Sequence, residues 1–221
     1  MSQNIKAIYI VAGGPQQYIP EYDSYKNVSN TIWMGVDRGV YYLLEKGIIP
    51  TYAVGDFDSI NEREWEEIKE KVPNIKQANP EKDETDLELA LFCALEHDPE
   101  KIIIWGATGG RLDHFMANAF MLSKFQKQHP HIPINIMDQQ NTLSVYFPET
   151  HEIFKDEKKK YVSFIPLSSE IIGLTLKGFK YPLTDKTVEF GSSLCISNEL
   201  IQQSGTFSFE KGILMMVRST D

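Results

Sequence analysis

Strand-like runs alternate with helix-like stretches through the first two-thirds of this chain, and that alternation restricts its fold more than any other feature. Residues 6–11 and 31–36 are apolar and rich in β-branched side chains. Residues 52–54, 102–105 and 134–137 are shorter runs of the same kind, and Ile75-Lys76-Gln77 is a weaker one. Helical stretches lie between them. Residues 40–46 stop at Gly47, where a glycine C-cap belongs, and residues 61–71 form a charged surface helix carrying Trp65 and Ile68. Thr85 can N-cap a helix in which Leu87, Ala90, Leu91, Ala94 and Leu95 recur at helical spacing. Residues 112–125 form another, with Leu112, Phe115, Met116, Ala119, Phe120 and Leu122 on its apolar face. The pattern predicts an α/β fold, a doubly wound and mostly parallel sheet with helices.

The texture changes near Val145. Helical periodicity ends, and short strand-like runs follow at residues 152–154, 161–166, 171–177, 193–197, 205–209 and 212–218, punctuated by Gly, Pro, Asp and Ser. Closely spaced short strands predict a C-terminal all-β sandwich or small barrel. The expected domains are therefore residues 1–144 and 145–221.

Composition narrows the function classes. A net charge of −9 argues against non-specific nucleic-acid binding, which needs clustered Lys and Arg. No run approaches the roughly 20 apolar residues of a membrane span, and the N-terminus has no secretory pattern. Cys93 and Cys195 lie far apart in apolar runs, so they read as buried free thiols in a cytoplasmic protein. Neither has a second Cys at zinc-ligand spacing.

Acidic clusters follow the strand-like runs. Asp37 follows the second run, and Gly55-Asp56-Phe57-Asp58-Ser59 the third. Lys82-Asp83-Glu84-Thr85-Asp86 comes a few residues after Ile75-Lys76-Gln77. Gly106-Ala107-Thr108-Gly109-Gly110-Arg111-Leu112-Asp113-His114 follows Trp105. In a parallel sheet these clusters gather beyond the carboxyl ends of the strands, where open α/β sheets bind ligands. Crowded carboxylates call for a cation, and magnesium favours hard oxygen ligands together with phosphate. In an extended segment Asp56 and Asp58 would face the same side; both also suit a simple turn after a strand. Asp86 suits a helix first turn as well as a metal. The glycine-rich turn leads into a helix N-terminus, where free N–H groups can take a phosphate, and Arg111 could clamp one. It is neither a Walker A loop nor a dinucleotide fingerprint. Gly13-Gly14 is either a second close backbone approach or only a turn.

Taken together, Gly55-Asp56-Phe57-Asp58-Ser59, Asp83-Glu84-Thr85-Asp86, Gly109-Gly110-Arg111-Leu112-Asp113-His114 and Ser197-Asn198-Glu199 resemble the thiamine pyrophosphokinase (thiamine diphosphokinase) family of bacterial type over nearly the whole chain. The resemblance implies an N-terminal α/β domain that binds ATP and a C-terminal sandwich that binds thiamine. It implies a homodimer, with thiamine between one subunit's α/β domain and the other's sandwich. The implied reaction moves a pyrophosphoryl group from ATP to the thiamine hydroxyl and releases AMP, with Mg2+. By the same resemblance Asp56, Asp58, Asp86 and Asp113 form the metal and catalytic set. Asp37, Lys82, Asp83, Thr85, Thr108, Gly109, Arg111 and His114 serve ATP and its phosphates, and Ser197 and Asn198 serve thiamine. One departure is that Asp37-Arg38-Gly39 stands where the family often has Asp-Gly-Gly. Two other readings compete. Asp56-Phe57-Asp58 is a D-x-D element of the kind used by metal-dependent nucleotide-sugar transferases, and a non-catalytic nucleotide-binding module would bind without turnover.

Overall fold

The computed structural model describes residues 5–77 and 83–221. The chain divides into two compact units, Met1–Met121 with His129–Gln139, and Leu122–Gln128 with Gln140–Asp221.

The first unit is built on parallel strands β1 (Ala7–Val11), β2 (Thr31–Val36), β3 (Tyr52–Gly55), β4 (Asn74–Gln77), β5 (Ile102–Trp105) and β6 (Ile134–Met137). Their spatial order is β6-β5-β1-β2-β3-β4, and every pairing among them is parallel. The chain runs outward from β1 to β4 on one side, then returns to place β5 and β6 on the other. The order therefore reverses between β1 and β5, the switch point at which doubly wound sheets open a ligand crevice. Every residue of β1 and of β5 is buried, as unbroken apolar runs require when both faces of a strand are covered. On one face Tyr9, Trp33 and Trp105 pack with Tyr22 and Leu43; on β3, Ala53 packs with Val40, Phe57 and Ile68.

The helices are α1 (Arg38–Glu45), α2 (Glu62–Lys71), α3 (Asp86–Leu95) and α4 (Leu112–Gln128). Helix α1 ends as the Gly47 signal predicts. Gly47 has φ +71°, its N–H reaches Leu44 O at 2.9 Å, and Ile48 N–H reaches Leu43 O at 2.9 Å. Asn61 and Glu64 close a reciprocal capping box on α2, and Thr85 Oγ1 accepts from Glu88 N at 3.2 Å on α3.

The second unit is a sandwich of two antiparallel sheets. One contains β7 (Asn141–Tyr146), β14 (Leu214–Ser219), β9 (Tyr161–Pro166) and β12 (Asn198–Glu199). The other is four-stranded, in the order β11 (Leu183–Glu189), β10 (Glu170–Lys177), β13 (Ser204–Ser208), β8 (Thr150–Phe154). Phe164, Leu214 and Met216 from the first sheet interleave with Ile171, Leu174, Leu176 and Phe207 from the second. One local expectation fails, and one strand went unmarked. The run at residues 193–197 is a turn: Ser192 Oγ accepts from Leu194 N at 3.3 Å, and Ser197 has φ +56°. Strand β11 carries no apolar alternation and is mostly exposed, so nothing in its pattern marked it. Both cysteines are buried and free, as the sequence suggested. No helix among the described residues is long and apolar enough to cross a membrane.

Candidate active site

The carboxyl ends of β1, β2, β3 and β5 open into a cavity of about 990 Å³ within the first unit. Its floor is the switch point. Ala12 N–H donates to Trp105 O at 2.8 Å and Gly14 N–H to Gly106 O at 2.9 Å, so the turns after β1 and β5 lie side by side. Glycine is required there. A Cβ on Gly14 would come within 2.3 Å of Gly106 O, and one on Gly106, at φ +68°, within 2.2 Å of Ala12 O.

The acidic wall comes from the turns after β2 and β3 and from the start of α3. Carboxylate oxygens of Asp37, Asp56 and Asp86 all lie within 4.8 Å of one another. The backbone is bent to place them. Asp37 has φ +49° and Phe57 φ +61°, conformations rare for such residues and concentrated at functional positions. Phe57 is held by burial and by its ring contact with Trp65 at 4.8 Å. Its positive φ breaks the extended geometry that would aim Asp56 and Asp58 alike; instead Asp56 Oδ1 accepts from Asp58 N at 3.1 Å. Burial above all, and then the Asp86 charge, push the Asp37 carboxyl up to about 7, with Asp56 and Asp58 adding to the rise and the Phe57 N–H opposing it. Asp37 Oδ1 is buried with no hydrogen-bond partner among the described residues. A buried, unpartnered carboxylate oxygen beside two more carboxylates is a donor set suited to a hard divalent cation.

The opposite wall is the glycine-rich turn and the start of α4. Gly109 and Gly110 have φ +75° and +67°, and the Tyr18 ring fills the space a Cβ on Gly109 would need. Arg111 Nε and Nη2 donate to Asp113 at 3.2 and 2.6 Å. That guanidinium, then the His114 N–H, hold the exposed Asp113 carboxyl down at about 2. A charged guanidinium at a helix N-terminus is an anion-binding arrangement.

Of the residues singled out in the sequence, Asp37, Asp56, Asp58, Thr85, Asp86, Gly109, Arg111, Asp113 and His114 line this cavity. Asp37, first grouped with the phosphate contacts, sits among the carboxylates, whereas the Asp113 carboxylate pairs with Arg111. The Thr85 hydroxyl caps α3. Thr108 is buried, its hydroxyl without a partner among the described residues, and neither it nor the exposed Asp83 is among the lining residues. Lys82 lies outside the described residues. Ser197 and Asn198 belong to the second unit. There the buried Asn198 amide accepts from Tyr181 N at 3.0 Å and donates to Tyr181 O at 2.8 Å, and the Ser197 N–H donates to Ser163 Oγ at 2.9 Å. Arg38, Tyr18 and Asn118 were not among the sequence candidates. Only Arg38 carried a signal, by standing next to Asp37.

Known proteins resemble this chain in sequence and fold. The family model described as "Thiamin pyrophosphokinase, catalytic domain" matches residues 25–134, and "Thiamin pyrophosphokinase, vitamin B1 binding domain" matches residues 150–214. The chain is 52% identical over 217 residues to a thiamine pyrophosphokinase of Bacillus subtilis, covering 98% of this chain and 100% of that one. The crystal structure of a Bacillus subtilis thiamine pyrophosphokinase superposes with a TM-score of 0.91 at 52% identity, over 98% of this chain and 100% of that chain. A thiamin pyrophosphokinase from Geobacillus thermodenitrificans gives 0.89 at 46% identity, over 97% and 98%. The yeast thiamin pyrophosphokinase, at 14% identity and TM-score 0.78 over 99% and 87%, shares the fold.

Proposed function

Because the chain belongs to the thiamin pyrophosphokinase family, we propose that it transfers a pyrophosphoryl group from ATP to the hydroxyl of thiamine, with magnesium, giving thiamine diphosphate and AMP. The observation that carries the ATP–magnesium part is the gathering of Asp37, Asp56 and Asp86 at the switch-point mouth, with one Asp37 oxygen buried and unpartnered.

Asp37, Asp56 and Asp86 would hold the ion, with Asp58 beside them in the same wall. When bound, magnesium neutralises charge on the polyphosphate. The chain's own residues do the positioning. The turn at Gly109-Gly110 and the α4 N-terminus present N–H donors to phosphate oxygens, and Arg111, oriented by Asp113, adds a charged donor. The thiamine hydroxyl oxygen forms a bond to the β-phosphorus while the bond from that phosphorus to the α,β-bridging oxygen breaks. AMP leaves with the bridging oxygen, and the hydroxyl proton passes to a carboxylate of the acidic wall. Phosphoryl transfer of this kind depends mainly on alignment and electrostatics.

Residues 1–144 would form the ATP-binding domain and residues 145–221 the thiamine-binding sandwich, whose first strand, β7, begins a few residues earlier at Asn141, with Ser197 and Asn198 shaping the thiamine side. The spans of the two family models support that division. Exposed Leu112, Met116 and Phe120, one helical turn apart on α4, support a homodimer, since a second copy would cover them. The test is an incubation with ATP, magnesium and thiamine, products separated by chromatography. Equal amounts of thiamine diphosphate and AMP are expected. ADP with thiamine monophosphate would overturn the bond assignment, and no thiamine product would overturn the acceptor.

A further inference from the structure

Arg38 lines the cavity without being free to bind a ligand. Its Nη1 and Nη2 donate to Glu64 Oε2 and Oε1 at 3.0 and 3.1 Å, a two-pronged ion pair. Nη1 also donates to Ser59 O at 3.2 Å. Glu64 is buried and further committed, accepting from Asn61 N at 3.1 Å while its own N–H donates to Asn61 Oδ1 at 3.0 Å. One guanidinium thus ties together the first residue of α1, the end of the loop that carries Asp56 and Asp58, and the capping box of α2.

The neighbouring residue grips the other end of that loop. Asp37 N–H donates to Val54 O at 3.0 Å, and a Cβ on Gly55 would fall 1.9 Å from Asp37 Oδ1. Asp37 and Arg38 therefore bracket residues 55–59, one at each end. The bracket has mechanical work to resist. Asp37, Asp56 and Asp86 repel one another across less than 4.8 Å, and the Asp56 loop is an irregular connection able to yield to that repulsion. We infer that Arg38, through its paired contacts with Glu64 and Ser59, is a positioning residue that fixes the spacing of Asp37 and Asp56 and thereby sets the affinity of this wall for a divalent cation. The inference rests on the reading of that wall as the magnesium site. Partners that orient metal ligands commonly govern affinity by tenfold or more.

The test uses the full chain, with Mg2+ alone and Mn2+ alone titrated calorimetrically into wild type, Arg38→Met, Arg38→Lys, Glu64→Gln and the Arg38→Met/Glu64→Gln double variant. Expected are dissociation constants raised roughly ten- to a hundredfold in Arg38→Met and Glu64→Gln. The double variant should be no weaker than the weaker single, because the two side chains act as one unit. Arg38→Lys should fall between, since an ammonium cannot reproduce the fork. Without metal, amide exchange at Phe57 and Asp58 should quicken in the same order. Should Arg38→Met fail to fold, Glu64→Gln decides, because glutamine still completes a capping box. Folded variants with wild-type metal affinity would overturn the inference alone. A wild-type chain that binds neither ion would overturn the proposed magnesium site, and this inference with it.

Discussion

Replacing Asp37 with asparagine should stabilise the metal-free protein while weakening its hold on magnesium. Burial and neighbouring carboxylates raise Asp37 from 3.8 to about 7 in the folded chain. The folded state then keeps a proton that the unfolded state releases. Stability is therefore full below the unfolded value of 3.8, declines as pH rises, and carries the whole penalty above about 7. At 1.36 kcal/mol per tenfold the gap corresponds to roughly 4 kcal/mol. Partial exposure reduces this to about 2–3 kcal/mol at pH 8. Asparagine keeps an oxygen for the Phe57 N–H and removes the charge. The variant should thus unfold about 2–3 kcal/mol harder at pH 8 in EDTA, the difference halving by about pH 5.5. Trp33, Trp65 and Trp105 all belong to the first unit, so urea unfolding followed by tryptophan emission reports on the unit that holds Asp37. Magnesium at a hundredfold excess over its dissociation constant should add about 2.7 kcal/mol to wild type, closing most of the gap, and far less to the variant. An Asp37→Asn chain no more stable than wild type at pH 8 in EDTA would refute the argument that repulsion and burial strain this carboxyl.

Asp86→Asn should cut turnover by at least a hundredfold on the loss of one metal ligand while leaving the circular dichroism spectrum unchanged; an active variant would remove Asp86 from the site. Arg111→Ala should let the Asp113 carboxyl rise from about 2 toward 3.8, which carboxyl NMR across that range would register, and any stability Asp113 contributes in wild type is lost as pH falls through the same window. Asn198→Ala should cost the second unit about 1–3 kcal/mol by stranding the Tyr181 N–H and C=O, visible as faster amide exchange at Tyr181.

Much of the fold was legible because burial on both faces leaves a plain mark. Strands β2, β5 and β6 occupy the residues their apolar runs span, and Gly47 and Thr85 end and begin helices where their chemistry allows. The sandwich was legible in outline from its short strands. Strand β11 was not, since an exposed polar strand has no alternation to read. The run at residues 193–197 misled because Leu194 and Ile196 are exposed on a turn rather than paired in a strand.

The sequence by itself determined which carboxylates end up at one edge, because Asp37 and Asp56 closely follow strands and Asp86 opens a helix. A parallel sheet carries such positions to the same side. How those carboxylates meet was decided only in three dimensions. The positive φ of Asp37 and Phe57 and the Arg38–Glu64 tie depend on contacts between residues distant in the chain or on packing that forces an unfavourable backbone. Local propensity carries no record of such contacts, since each conformation is disfavoured until the surrounding core holds it.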